Sequence, residues 1–178
     1  AALENETFRY VACKPNYYIA PTNKDKHGKE LWNHHKMVKR TMFNYDGVEG
    51  GKTGYTTKAG GTLVTFAKRG DQELIAVDLC AHGYELYEDT IKMLNYGFNN
   101  YKTIAPFKTM NTVLKDDTYG FLKTGNELSP YKIPLKHLND VTVMLEKNQS
   151  ASKLTYKCKD NKYIISYDGK QIGSVKLH

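Results

Sequence analysis

Lys52, Thr53 and Gly54 sit in a glycine-rich run, Gly47 to Val64, that reads GVEGGKTGYTTKAGGTLV. A lysine followed by a hydroxyl residue among glycines can serve two chemistries. It can cradle a phosphate, or it can hold the carboxylate end of a peptide in an acyl-transfer site whose nucleophile lies elsewhere. A phosphate loop needs Gly-x-x-x-x-Gly-Lys-[Ser/Thr], because an arc of backbone N–H groups has to close around the phosphates. Gly51-Lys52-Thr53 supplies the end of that pattern, but Asp46 stands where the first glycine belongs and Gly47 is one residue too close. The context fails as well, since a phosphate loop opens a helix and this run leads into strand-like alternation. The second chemistry fits a strand bordering a cleft. Lys52 supplies a fixed positive charge, the Thr53 hydroxyl can hydrogen-bond a carboxylate, and Gly54 lets a substrate backbone lie close. On the same reasoning Gly50 and Gly51 clear the path of a passing backbone.

The elements that must position this triplet can be read around it. "GTLVTFAK" places Leu63, Thr65 and Ala67 on one face of a strand and Thr62, Val64 and Phe66 on the other. After the turn "RGDQ", "ELIAVDLC" reads as a second strand, apolar at nearly every residue, as expected if both faces are covered. The two form an antiparallel hairpin. In "YELYEDTIKMLNYGF", Tyr87, Ile91, Leu94 and Phe98 recur at helical spacing with Glu85, Glu88 and Asp89 in the first turn, so a helix is expected to pack on the hairpin. Upstream, "FRYVACK" reads as a short strand, and "YYIAPTNKDKHGKELWNHHKMV" as a hairpin with a polar tip at Asn23 to Lys29. After "YKTIAPF" the composition shifts to short β-type runs separated by turn signals such as "TGNELSP" and "DGKQ". The expected organisation is a domain over 1–104 followed by a small all-β domain over 105–178.

With 178 residues, 40% hydrophobic and 25% charged, the chain is expected to be a folded globule. Its net charge of +7 and 14 tyrosines could serve nucleic acid, but the lysines are scattered in pieces such as "KDKHGKE" and "HHKMVKR", which reads as solvated surface. A basic surface also suits an anionic membrane or cell-wall polymer. Cys13, Cys80 and Cys158 are far apart and odd in number, which excludes a full disulfide framework, and no pair has metal-ligand spacing. No apolar run approaches a membrane span. The opening "AALENETFRYVA" reads as the end of a helix, an odd start that implies residues upstream.

"GVEGGKTGYTTKAGGTLVTFAKR", followed by "ELIAVDL" and "KMLNYGF", resembles the low-molecular-mass penicillin-binding proteins that act as serine-type D-Ala-D-Ala carboxypeptidases. Lys-Thr-Gly stands beside Ser-x-x-Lys and Ser-Asp-Asn in penicillin-binding proteins and β-lactamases. "GKELWNHHKMV" matches the family's approach to the motif. The resemblance covers residues 1 to 104 well, and the β-rich tail by position and type. It implies an α+β fold: the C-terminal half of a transpeptidase-like domain, with an antiparallel sheet and packed helix, then a small β sandwich.

What the resemblance implies for function is specific. Lys52 and the Tyr55 backbone N–H, an oxyanion donor, would be catalytic; Lys52, Thr53, Gly54 and Tyr55 would bind substrate. No cofactor or metal is implied. The substrate would be a peptidoglycan stem peptide ending in D-Ala-D-Ala, and β-lactams would acylate the same serine, outside the cytoplasm. That serine and its lysine lie far upstream of Lys-Thr-Gly in the family, so the nucleophile is expected in a missing N-terminal half, and membrane attachment in segments beyond this chain. No Ser-x-Asn occurs here, and Ser150 to Lys153 ("SASK") lies on the wrong side of the motif and reads as coincidence. The family's arginine near the final helix is also absent; in "AHGYELYED", His82 is the nearest basic residue. The rival readings are a non-catalytic wall-binding or scaffold module, and a relative of the serine β-lactamases.

Overall fold

The computed structural model describes residues 2–39, 42–108, 112–114, 119–124, 127–128, 133–134, 141–160 and 162–176. The chain divides into two compact units, Ala1–Asn99 and Asn100–His178. The fold is α+β, and every strand pairing among the described residues is antiparallel.

The first unit opens with helix α1 (Glu6–Ala12). The expectation of a strand at "FRYVACK" is therefore overturned. Phe8, Tyr10 and Val11 favour strand by type, but Asn5 caps a helix, its side chain accepting the Phe8 N–H, and Glu6 sits in the first turn. Arg9 then ties the helix to the sheet through Glu49 at 2.6 Å and Glu73 at 2.5 Å. Strands β1 (Asn16–Ile19) and β2 (Lys29–Trp32) form the expected hairpin, with Lys29 inside β2 and not in the tip.

Strands β3 (Val48–Thr56), β4 (Gly60–Arg69) and β5 (Gln72–Ala81) form a meander in the order β3-β4-β5. Helix α2 (Glu85–Asn100) buries Leu86, Tyr87, Thr90, Leu94 and Phe98. These join Leu63, Ala67 and Ala76 of the sheet and Met37 and Phe43 of the preceding loop in one core. Full burial of a side chain such as Leu94 contributes about 2 kcal/mol. Gly97 is the point of closest approach: a Cβ there would lie 2.5 Å from Leu74 Cδ1. Only one face of β5 is covered, against the two expected. Ile75, Val77 and Leu79 are exposed, Leu79 at 69%, because α2 covers the face of Ala76 while α1 reaches only the first row of the opposite face.

In the second unit β6 (Tyr101–Ile104) pairs with β11 (Val143–Glu146). Residues 101–104, read from the sequence as the end of the first domain, are thus a strand of this unit. Strands β7 (Thr112–Leu114), β8 (Tyr119–Thr124), β9 (Glu127–Leu128) and β10 (Ile133–Pro134) pair around β8. Strands β12 (Leu154–Lys159), β13 (Lys162–Tyr167) and β14 (Lys170–Lys176) form a meander. Phe107, Val143, Leu145, Leu154, Tyr163 and Ile165 make its core.

Candidate active site

Lys52, Thr53 and Gly54 lie together on β3, which has β4 on one side and no strand among the described residues on the other. Every second backbone N–H and C=O of β3 therefore faces outward, as on any sheet edge. The register sets the side chains. Lys52 is opposite Val64, which is opposite Val77; Thr53 is opposite Leu63, on the face that α2 covers. Lys52 thus projects over the open, apolar face. It is exposed, and Nζ donates to the Thr53 carbonyl oxygen. No carboxylate among the described residues pairs with it, so its charge is available to an incoming anion. Beside it lies a pocket of about 170 Å³ lined by Leu3, Phe8, Lys52, Val64, Phe66 and Ile75, among others.

The glycines divide into two kinds, which corrects the expectation that all of them clear a path for substrate. Gly50 and Gly51 are buried. A Cβ at Gly50 would lie 2.3 Å from Phe66 Cζ, and one at Gly51 2.2 Å from Val64 O and 2.6 Å from His35 Cδ2. Both make room for the protein's own rings. Gly54 is exposed, and a Cβ there would meet only the Thr62 side chain, at 2.5 Å from Oγ1. It is the glycine of the triplet that leaves space on the open face. Tyr55 follows, its side chain 76% exposed.

His82 stands exposed in the turn between β5 and α2, where its carbonyl accepts the Glu85 N–H. It follows Ala81, which lies in register with Gly61 and through it with Tyr55, at the end of the sheet where the triplet terminates. Ser150 and Lys153 are elsewhere, in an exposed turn of the second unit. The Ser150 hydroxyl bonds Ser152 Oγ at 2.8 Å and accepts the Ser152 N–H, an ST turn with no base aimed at the serine. A second Ser-x-x-Lys, Ser129 to Lys132, was overlooked in the sequence and lies outside the described residues. Cys13 and Cys80 are free thiols; Cys80 is the extra residue of a β-bulge, at φ 64°. The Cys158 side chain lies outside the described residues.

One residue that supports the site went unrecognised in the sequence. His35 has no exposed surface; its Nε2 lies 2.8 Å from Thr65 Oγ1, and Tyr87 meets its ring edge-on at 5.9 Å between centroids. Burial, opposed by hydrogen bonding to the backbone at Val64, pulls its pKa down to about 4. The ring is therefore neutral at pH 7 and packs under Gly51, the neighbour of Lys52. Its Nδ1 is buried without a partner among the described residues. An unpaired lone pair costs less than an unpaired N–H, so the proton belongs on Nε2, which then donates to Thr65. Sequence offers no signal for this: His34 is exposed and His35 buried, one residue apart.

Residues 2–83 match the family model described as D-alanyl-D-alanine carboxypeptidase. The D-alanyl-D-alanine carboxypeptidase DacF of Bacillus subtilis is 30% identical over 154 residues, 84% of this chain and 37% of that protein. The D-alanyl-D-alanine carboxypeptidase DacC of Escherichia coli is 35% identical over 77 residues, 43% of this chain and 18% of that protein. The chain thus spans little more than a third of the first relative's length. The fold is like that of penicillin-binding protein 5 from Haemophilus influenzae, with a TM-score of 0.59 at 22% identity, over 98% of this chain and 51% of the other.

Proposed function

We propose that the chain belongs to the D-alanyl-D-alanine carboxypeptidases, whose family model residues 2–83 match, and that its β3 edge is the carboxylate-binding side of a serine-type carboxypeptidase site. The substrate is a peptidoglycan stem peptide ending in D-Ala-D-Ala, met outside the cytoplasm. A serine outside these 178 residues attacks the carbonyl carbon between the two D-alanines. The C–N bond then breaks, the terminal D-alanine leaves with a proton, and water hydrolyses the ester. Lys52 attracts the substrate carboxylate and the Thr53 hydroxyl donates to it. Gly54 admits the substrate backbone, and the Tyr55 N–H donates to the oxyanion. A β-lactam, which carries a carboxylate beside its reactive amide, acylates the same serine. His82 is a basic side chain at this end of the sheet. The observation that carries the reading is the exposed Lys52, with no acidic partner among the described residues, on an open strand edge two residues before the exposed Gly54.

The test is labelling with fluorescent penicillin, with the modified peptide located by mass spectrometry. In the complete protein the label is expected on a serine outside this chain, and the 178-residue chain alone is expected to stay unlabelled and to release no D-alanine. Turnover by the chain alone at about 1 per second or more, or a label on one of its own serines, refutes the proposal.

A further inference from the structure

The β1–β2 hairpin buries none of its strand residues. A two-stranded ribbon of this size is marginal in water, yet it displays Tyr17 (55% exposed), Trp32 (53%) and Leu31 (40%). Between it and α1, where Tyr10 and Val11 are each 63% exposed, lies a groove of about 520 Å³ lined by Tyr10, Val11, Lys14, Tyr17, Leu31 and Trp32, with two asparagines. Asn33, one of these, fixes the α1–β1 connection by donating to Ala12 O at 3.3 Å and Lys14 O at 3.0 Å. A contiguous aromatic patch held in place and exposed among the described residues marks an interaction site.

Its charges narrow the partner. Lys14 Nζ lies 4.3 Å from the centroid of the Tyr10 ring and 5.6 Å from that of Tyr17; Lys39 Nζ lies 5.5 Å from that of Trp32. No carboxylate among the described residues pairs with either lysine. From position 13 to 39 the chain carries Lys14, Lys24, Lys26, Lys29, Lys36 and Lys39 against only Asp25 and Glu30. Aromatic faces attract groups of partial positive charge, which the C–H faces of a pyranose supply, while the two ammonium groups, which have ring contacts and no carboxylate partner among the described residues, can also take anions. A purely apolar partner would leave both lysines without a counter-charge.

We propose that this groove binds a glycan strand of amino sugars bearing carboxylates, with pyranose faces against the Tyr10, Tyr17 and Trp32 rings and carboxylates paired with Lys14 and Lys39. The choice of a wall glycan among such polymers rests on the function proposed above, but the groove lies on other elements than the Lys52 edge.

Trp32 is the chain's single tryptophan, so its emission reports on the groove alone. The 178-residue chain is titrated with peptide-free peptidoglycan glycan strands. A saturable change in emission is expected, about 10-fold weaker in affinity for Tyr17→Ala, weakened also for Lys14→Gln, and unaltered for the control Lys58→Gln, with melts confirming folding. No saturable change overturns the proposal, as does parent-like affinity in both Tyr17→Ala and Lys14→Gln. An equal response to polyglutamate, oligo-dT or phosphatidylglycerol vesicles overturns it in favour of bare charge, nucleic acid or membrane. Equal affinity for neutral chitooligosaccharide overturns the carboxylate pairing. Failure of the carboxypeptidase reading would appear in penicillin labelling and leave this titration unchanged.

Discussion

Acid should weaken the first unit through His35. An unfolded histidine titrates near 6.5, and the folded one near 4. Between those values the unfolded chain takes up a proton that the folded chain refuses, so stability rises with pH across that window and is lost on acidification. Above about 6.5 both states are neutral and the slope vanishes; below about 4 both are charged and no further loss accrues. At about 1.36 kcal/mol per pKa unit, the full window is worth roughly 3 kcal/mol, most of it lost in the step from pH 7.5 to 4.5. That is a large share of the 5–15 kcal/mol typical of a domain. The assay is urea unfolding of the parent and of His35→Gln at a series of pH values. The variant is less stable at pH 7.5, having lost the imidazole and its packing. On acidification to pH 4.5 the parent's advantage shrinks by roughly 2 to 3 kcal/mol, because Gln has nothing to titrate. Asp78, whose carboxyl is pushed up by burial, titrates in both proteins and cancels in the difference. A parent-minus-variant difference that stays constant across pH refutes the assignment of a neutral buried imidazole.

The same unit yields three further expectations. Gly51→Ala must displace the Val64 carbonyl or the His35 ring and should cost about 3 kcal/mol, whereas Gly54→Ala needs only a Thr62 rotation and should cost under about 1 kcal/mol; equal costs in thermal melts would contradict the division of the glycines. Lys52→Ala should leave the melting temperature within a degree or two, since the side chain is exposed, but slow penicillin acylation of the complete protein by roughly 30- to 1000-fold. Arg9→Ala should cost about 1 kcal/mol, less in 1 M salt, because its two carboxylate partners are only half-buried; a salt-independent loss would point instead to the Arg9 guanidinium over the Phe66 ring.

What the sequence made legible follows what each element buries. Helix α2 was readable because Tyr87, Leu94 and Phe98 all face one core. Strand β4 was readable because Leu63, Thr65 and Ala67 alternate with its other face. Helix α1 buries no residue, so its side chains carry no period, and its aromatic and β-branched composition pointed to a strand. Only the Asn5 cap could have signalled it. The run "ELIAVDLC" shows the opposite failure: an apolar strand looks the same whether both faces are covered or one is open. Lys-Thr-Gly was legible as chemistry because residue types alone define what it can bind. The support beneath it was not, since nothing in "NHH" distinguishes a solvated ring from one that meets Thr65 some thirty positions later in the chain.

Strand β3 separates two demands by the alternation of its side chains. Gly51 and Thr53 face α2, and there the absence of a side chain at Gly51 admits the His35 ring, which ties the loop before β3 to Thr65 of β4. Gly50 faces the other way and admits Phe66 beneath α1. Packing at both glycines holds the backbone of the next residue, Lys52, so the register of the triplet is set by burial and not by the substrate it is proposed to hold. What remains for binding over the open face is then small: the Lys52 ammonium, the space at Gly54 and the outward N–H groups, with the Thr53 side chain on the other face of the strand edge. That set recognises a carboxylate attached to an extended backbone and offers no nucleophile of its own, so on the proposed function the serine has to approach from the open side of β3, over the face where Lys52, Val64 and Val77 share one row.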